Sequence, residues 1–143
     1  MTHLNLPNTN LKSLMLALAI AVGFILHCDR AGAQSVERLI VAGGCFWCVE
    51  ADFEKVNGVR EVVSGFAGGS VPNPSYDQVV AGGTGHLEVV EITYDADIIT
   101  YDQLLWLFMR SIDPTDGGGQ FCDRGPTYRT AIFPADNAER QSA

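Results

Sequence analysis

From residue 37 onward, apolar side chains alternate or recur at helical spacing in short blocks. "ERLIVAGG", residues 37–44, is an apolar run closed by two glycines, as expected of a short buried strand ending in a turn. Directly after it, Phe46, Val49, Phe53 and Val56 fall at i, i+3, i+7 and i+10, one face of a helix that should end near Asn57-Gly58. "VREVVSGFAGG" from Val59 predicts a second strand. A Pro- and Gly-rich loop over 70–86 follows, interrupted by a short segment over 76–80. In "HLEVVEITYD" the alternation places Glu88, Val90, Ile92 and Tyr94 on one face of a third strand, with Leu87, Val89, Glu91 and Thr93 on the other. Glu88 therefore stands at the mouth of an apolar face.

"TYDQLLWLFMRSI" opens with Thr100 and carries Gln103 three residues on, a capping-box pattern. Leu104, Leu105, Phe108 and Ile112 form its buried stripe, and Trp106 and Met109 are expected to pack. "DPTDGGGQFCDRGPTYR" reads as a loop of about sixteen residues, a length usually reserved for function in a compact domain. "RTAIF" predicts a last strand. "ADNAERQSA" begins another helix, with Asp136 and Glu139 at its start, that reaches barely two turns and so should fray.

The first 33 residues follow a different plan. "SLMLALAIAVGFIL", residues 13–26, is a 14-residue run without a charge; Lys12 precedes it and "AGA" at 31–33 follows. This is the pattern of a secretory signal peptide, cleaved after about Ala33, and the run is short for a membrane span. The expected organisation is a signal peptide over 1–33 and one catalytic domain over 34–143, exported and periplasmic in a Gram-negative source. That domain keeps seven basic residues against sixteen acidic ones. The balance excludes nucleic acid and an anionic membrane surface as partners and suits a soluble enzyme. It also keeps three cysteines, Cys45, Cys48 and Cys122, and an odd count in an exported chain points to a reactive thiol.

"AGGCFWCVE" concentrates the chemistry. A zinc site would have to borrow Cys122 and His86, so no metal is expected. Haem attachment would need a His where Val49 stands. A disulfide exchanger using Cys45 and Cys48 and an enzyme with one nucleophilic cysteine both fit the spacing. The helix start favours a thiolate at Cys45. Gly43 and Gly44 would let a substrate approach the sulfur, and Phe46 and Trp47 would supply an apolar wall. His86 reads as a structural loop histidine.

"GGCFWCVE", "PNPSY", "GHLEVV" and "DRGPTYRTAIF", in that order over residues 39–133, strongly resemble the A-type peptide methionine sulfoxide reductases. The resemblance implies an α+β fold, a two-layer sandwich with a ferredoxin-like core, its mixed sheet packed by helices. It implies reduction of the S epimer of methionine sulfoxide, free or in oxidised proteins, through a sulfenic acid on Cys45, with no bound cofactor and with thioredoxin or another dithiol as reductant. A monomer is expected. By the same resemblance Phe46 and Trp47 wall the methyl pocket, Glu88 is the catalytic acid, Tyr76 and Tyr128 bind the sulfoxide oxygen, and Asp123 orders the site. The chain departs from the family where Cys48 replaces a glycine. It also stops before the C-terminal tail that often carries resolving cysteines, so the domain is expected to lack its C-terminal part. Cys48 and Cys122 are the candidates for the resolving role, with Cys48 favoured. The alternatives are a thiol-disulfide oxidoreductase using Cys45 and Cys48, and an inactive truncated paralogue that only binds.

Overall fold

A computed structural model describes residues 35–143; the signal-peptide reading of 1–33 lies outside the described residues. The element order is β1 (Val36–Gly43), α1 (Phe46–Phe53), β2 (Val59–Ala67), α2 (Tyr76–Val80), β3 (Leu87–Asp95), α3 (Tyr101–Ser111), β4 (Gly119–Gln120), β5 (Asp123–Arg124), a 3-10 turn (Pro126–Tyr128), β6 (Thr130–Ile132) and α4 (Asn137–Ser142). Four strands form one sheet in the order β2-β3-β1-β6, and every pairing in it is antiparallel. It is the antiparallel form of the helix-on-sheet α+β architecture that the resemblance implies.

β3 lies between β1 and β2, and its alternation sorts the two faces. Val90, Ile92 and Tyr94 join Leu39 and Val41 of β1 under Phe46, Val49 and Phe53 of α1 and Leu104, Leu105 and Phe108 of α3. Leu87, Val89 and Ala42 form a smaller cluster with Ile40, Ala67, Ala131 and Phe133. Each large side chain withdrawn from water in this way contributes roughly 1.5–3 kcal/mol, which gives the two-residue period of β3 its authority over register. At one end of the sheet Asp95, 5% exposed, is paired with Arg60 at 2.5 Å and tied to Asp97 N–H. That pair anchors the beginning of β2 to the end of β3.

Two helix starts carry capping boxes, of which the one on α3 is read from the sequence. Thr100 and Gln103 form a reciprocal capping box on α3, and Ser75 and Gln78 form a second on the short α2. α1 ends earlier than its apolar spacing implies, at Phe53, because Val56 N–H turns back to Phe53 C=O at 3.0 Å and Gly58 takes φ +97°. Val56 still packs against the core from this turn. The expected packing role of Trp106 and Met109 does not hold. They are 60% and 45% exposed, on the side of α3 away from Leu104, Leu105 and Phe108, with Arg110 lying over the Trp106 ring at 4.7 Å. The long loop after α3 contains its own order, the β4–β5 hairpin and the 3-10 turn. Two-residue strands carry no periodicity by which they could have been read.

The junction between β1 and α1 is crowded. A Cβ on Gly43 would stand 2.9 Å from Phe108 Cε2, 3.1 Å from Val49 and 3.2 Å from Ile112. Gly44, at φ +93°, would direct one to 2.7 Å from Gln120 Cβ. These glycines admit protein neighbours, not a substrate, which corrects the role expected of them. Gly43→Ala should destabilise the domain by about 1–3 kcal/mol, the usual cost of overpacking. A urea midpoint unchanged from the parent chain would contradict this packing.

Candidate active site

Cys45 is the N-cap of α1, in extended conformation at φ −60° and ψ 117°, and no side chain caps the helix there. Its carbonyl accepts from Cys48 N–H at 3.1 Å and Val49 N–H at 3.3 Å, so the chain enters the helix at the cysteine itself. The first amides of a helix have no partner within it. Here the Phe46 N–H donates to Glu88 Oε2 at 3.0 Å. That N–H belongs to the Cys45–Phe46 peptide, so one peptide unit carries the candidate nucleophile on one side and binds the carboxyl on the other.

Glu88 is 2% exposed. It faces Phe66 across the β2–β3 register, and the Phe66 ring lies 5.7 Å from that of Phe46. Burial pushes the Glu88 carboxyl above its ordinary range; the Phe46 amide opposes this and the charge of Asp123 adds to it. The buried carboxyl therefore holds its proton at a higher pH than a solvated one would.

Aromatic rings surround the helix start. Phe46 and Trp47 are 5.3 Å apart by ring centroid, and Tyr76 stacks 6.3 Å from Phe46 and 6.1 Å from Trp47. Phe46 is buried and serves the core as well as this wall, whereas Trp47 and Tyr76 are 60% and 42% exposed. Tyr128 is half-buried at the end of the 3-10 turn. Thr127 beside it donates to Val79 C=O at 3.2 Å, which fastens the turn to α2, the helix that begins with Tyr76. Burial first, then the neighbouring Glu88, Tyr76, Asp123 and Cys45, push the Tyr128 phenol up. It remains a hydrogen-bond donor. Asp123, half-buried on β5, is thus electrostatically linked to Glu88, Tyr128 and Cys48.

The two further cysteines are not equivalent. Cys48 is exposed one turn into α1; the neighbouring Cys45 thiol first, then burial and the charges of Asp123 and Asp52, push its thiol up. Cys122 is exposed at the tip of the β4–β5 hairpin, beside Phe121, which is 70% exposed and takes φ 48°. His86 is structural: its Nδ1 accepts from Gly69 N–H at 3.3 Å and its Nε2 bonds Val71 C=O at 2.8 Å, so both ring nitrogens are occupied by backbone. Among the described residues no group of three or more His, Cys, Asp or Glu side chains is arranged to hold a metal ion. Sequence reasoning passed over Gln120, fully buried beneath Gly44. It also passed over Glu50, which accepts a hydrogen bond from Ser64 of β2.

A carboxyl whose pKa is raised by folding stabilises the folded state most when protonated, below the ordinary carboxyl range. That contribution is lost as the pH climbs through the raised value. Glu88→Gln keeps an acceptor for the Phe46 amide and removes the buried charge. Its melting temperature should therefore exceed that of the parent by about 3 °C or more at pH 8, the difference closing towards pH 4. Identical melting of the two proteins at both pH values would contradict a strained, buried carboxylate.

The profile of the peptide methionine sulfoxide reductase family matches residues 37–143. The chain is 54% identical over 110 residues to the peptide methionine sulfoxide reductase MsrA of Halalkalibacterium halodurans, covering 77% of this chain and 62% of that one. It is 56% identical over 108 residues to MsrA/MsrB of Vibrio cholerae, covering 76% of this chain and 28% of that protein. Among solved structures, methionine sulfoxide reductase A of Corynebacterium diphtheriae superimposes with a TM-score of 0.71 at 39% identity, over 78% of this chain and 52% of that one. Reduced Mxr1 of Saccharomyces cerevisiae gives 0.70 at 30% identity, over 77% and 65%. The chain thus spans less than two thirds of the length of these relatives. With the family profile running through both the Cys45 helix and the Glu88 strand, the chain belongs to the peptide methionine sulfoxide reductase family.

Proposed function

We propose that this domain reduces the S epimer of methionine sulfoxide, in oxidised proteins or free, to methionine. The observation that carries the reading is the buried Glu88 carboxyl bonded to the Cys45–Phe46 peptide. A sulfoxide oxygen leaves sulfur only once it is protonated, so a thiol nucleophile needs an acid beside it that still holds a proton near neutral pH. Cys45 attacks the sulfoxide sulfur and Glu88 delivers the proton. The S–S bond formed by that attack and the S–O bond then break as the oxygen passes to the cysteine sulfur. Methionine thus departs with two more electrons on its sulfur, and Cys45 is left as a sulfenic acid. Tyr76 and Tyr128 donate to the oxygen while it is transferred, and Asp123 orders the acid side of the site. Phe46 and Trp47 hold the substrate methyl group.

The placement of Cys48 one turn into α1, its N–H on the Cys45 carbonyl at 3.1 Å, supports Cys48 over Cys122 as the resolving cysteine. Cys48 condenses with the sulfenic acid, water leaves, and a Cys45–Cys48 disulfide forms. Thioredoxin or another dithiol then reduces that disulfide, becoming oxidised itself, so no bound cofactor is required. The Cys45–Cys48 pair by itself would serve thiol-disulfide exchange, but that reaction leaves the buried Glu88 and the two tyrosines without a task. The same reading takes residues 1–33 as an export signal, supported by the uncharged run at 13–26 and the "AGA" that follows it.

With dithiothreitol, the chain should turn over the S epimer of a methionine sulfoxide peptide and leave the R epimer untouched, and Cys45→Ser should abolish the reaction. Glu88→Gln should slow the first turnover about 10²–10⁴-fold, the span of a general acid. Cys48→Ser should release one equivalent of methionine and accumulate a dimedone-reactive sulfenic acid without an intramolecular disulfide. Folded protein that reduces insulin disulfides and neither sulfoxide epimer would refute the assignment.

A further inference from the structure

We infer that Gln120 is a positioning residue for the Cys45 nucleophile and for Asp123, through the buried amide clamp it closes on Asp113. The inference rests on the reading of Cys45 as nucleophile given above.

Gln120 has no exposed surface. Its Oε1 accepts from Asp113 N–H at 2.7 Å, and its Nε2 donates to Asp113 C=O at 2.9 Å and to Gly119 C=O at 2.7 Å. The amide thereby joins both backbone groups of one residue, a pairing that fixes the Asp113 peptide in position and orientation. With both amide hydrogens committed to carbonyls, it has no donor left for a substrate, so any influence on chemistry passes through its neighbours.

Three segments of the site meet at this side chain. Its Cβ occupies the space beneath Gly44, where an added Cβ would lie only 2.7 Å away, and Gly44 is bonded directly to Cys45. Its backbone pairs with Asp123 across the β4–β5 ladder. Asp113 follows Ile112 at the end of α3, and Ile112 packs against the core and lies beside Gly43. The clamp thus locks the end of α3, the turn that presents Cys45 and the strand that carries Asp123 into one arrangement. A methionine or leucine would fill the space under Gly44 without burying an amide, whose withdrawal from water is unfavourable unless every bond is made. A fully satisfied buried network of this kind specifies one geometry where apolar packing alone would allow several. Reaction rates respond steeply to such geometry, with a displacement of about 1 Å costing on the order of 10²-fold.

Gln120→Met keeps the length and volume and removes the clamp. The variant should retain a cooperative melt and a KM within about twofold of the parent, while the rate of the first turnover falls at least about tenfold. The charge of Asp123 would no longer be held in its place near Glu88, so the Glu88 carboxyl, followed by carbon-13 NMR, should titrate at lower pH than in the parent. This second readout does not depend on sulfoxide turnover, so it separates failure of the clamp from failure of the proposed reaction. Gln120→Glu supplies a rescue. Its protonated acid can both accept from and donate to Asp113, whereas the ionised form repels two carbonyls and has Asp113 and Asp123 on the segments it joins. Its first-turnover rate relative to the parent should approach one at pH 5 and fall to that of Gln120→Met at pH 8. If Gln120→Met does not fold, the pH-dependent ratio of Gln120→Glu decides alone. A folded Gln120→Met with parental rate and parental Glu88 titration, or a Gln120→Glu ratio that is flat with pH, would overturn the inference.

Discussion

The hydrogen bond from the Phe46 amide to Glu88 joins a helix start to a carboxyl that is almost wholly out of water, and most of the surrounding structure serves to keep that pair together. A helix start needs acceptors for its first amides, and a carboxyl in an apolar setting needs either a donor or a proton. Glu88 has one donor, which lowers its pKa, set against burial and the charge of Asp123, which raise it. Burial is the larger influence, so the raised state wins. The same bond that holds the group in place stops short of turning it into an ordinary carboxylate.

Two long-range arrangements deliver the partners of this bond. The sheet register places Glu88 opposite Phe66 on the face where Val90, Ile92 and Tyr94 meet the helices, and a slip of one residue would turn all four away from the core. The turn at Gly43 and Gly44 then brings Cys45 up to that face under Phe108 on one side and Gln120 on the other. Around these fixed parts lie the elements that close the site. α2 brings Tyr76, the 3-10 turn brings Tyr128, and Thr127 binds the two segments to each other through Val79. The site is thus assembled from the core outward, with its exposed aromatic groups, Trp47 and Tyr76, at the rim.

Much of this was legible where a local rule and burial agree. The two-residue period of "HLEVVEITYD" put Glu88 on the core face, the Thr100–Gln103 box opened α3, and the change of period at Cys45 located the junction that the structure shows as an N-cap. The readings that failed needed knowledge of what lies opposite. Gly43 and Gly44 look like access for a ligand until Phe108 and Gln120, far along the chain, are found against them. Trp106 and Met109 are apolar on a helix that is already buried by its other face, and only the packing of Leu104, Leu105 and Phe108 shows which side is turned outward. Gln120 stands in a glycine-rich stretch whose hairpin is too short to leave a pattern, so its burial had no sequence signal at all. The site roles carried by motif resemblance named residues that the fold does bring together: Cys45, Glu88, Asp123 and Tyr128 interact electrostatically, and Phe46, Trp47 and Tyr76 form one aromatic group.

The proposed chemistry depends above all on Glu88 holding a proton at a pH where the helix start beside it bears a reactive thiol. Carbon-13 NMR of the glutamate side-chain carboxyls, with Glu88→Gln used to assign the resonance, measures that proton directly. The Glu88 carboxyl is expected to titrate above the ordinary glutamate value of about 4.3. A Glu88 resonance that titrates at or below that ordinary value would mean that the Phe46 amide outweighs burial, and the proposed acid would be a carboxylate throughout the working range.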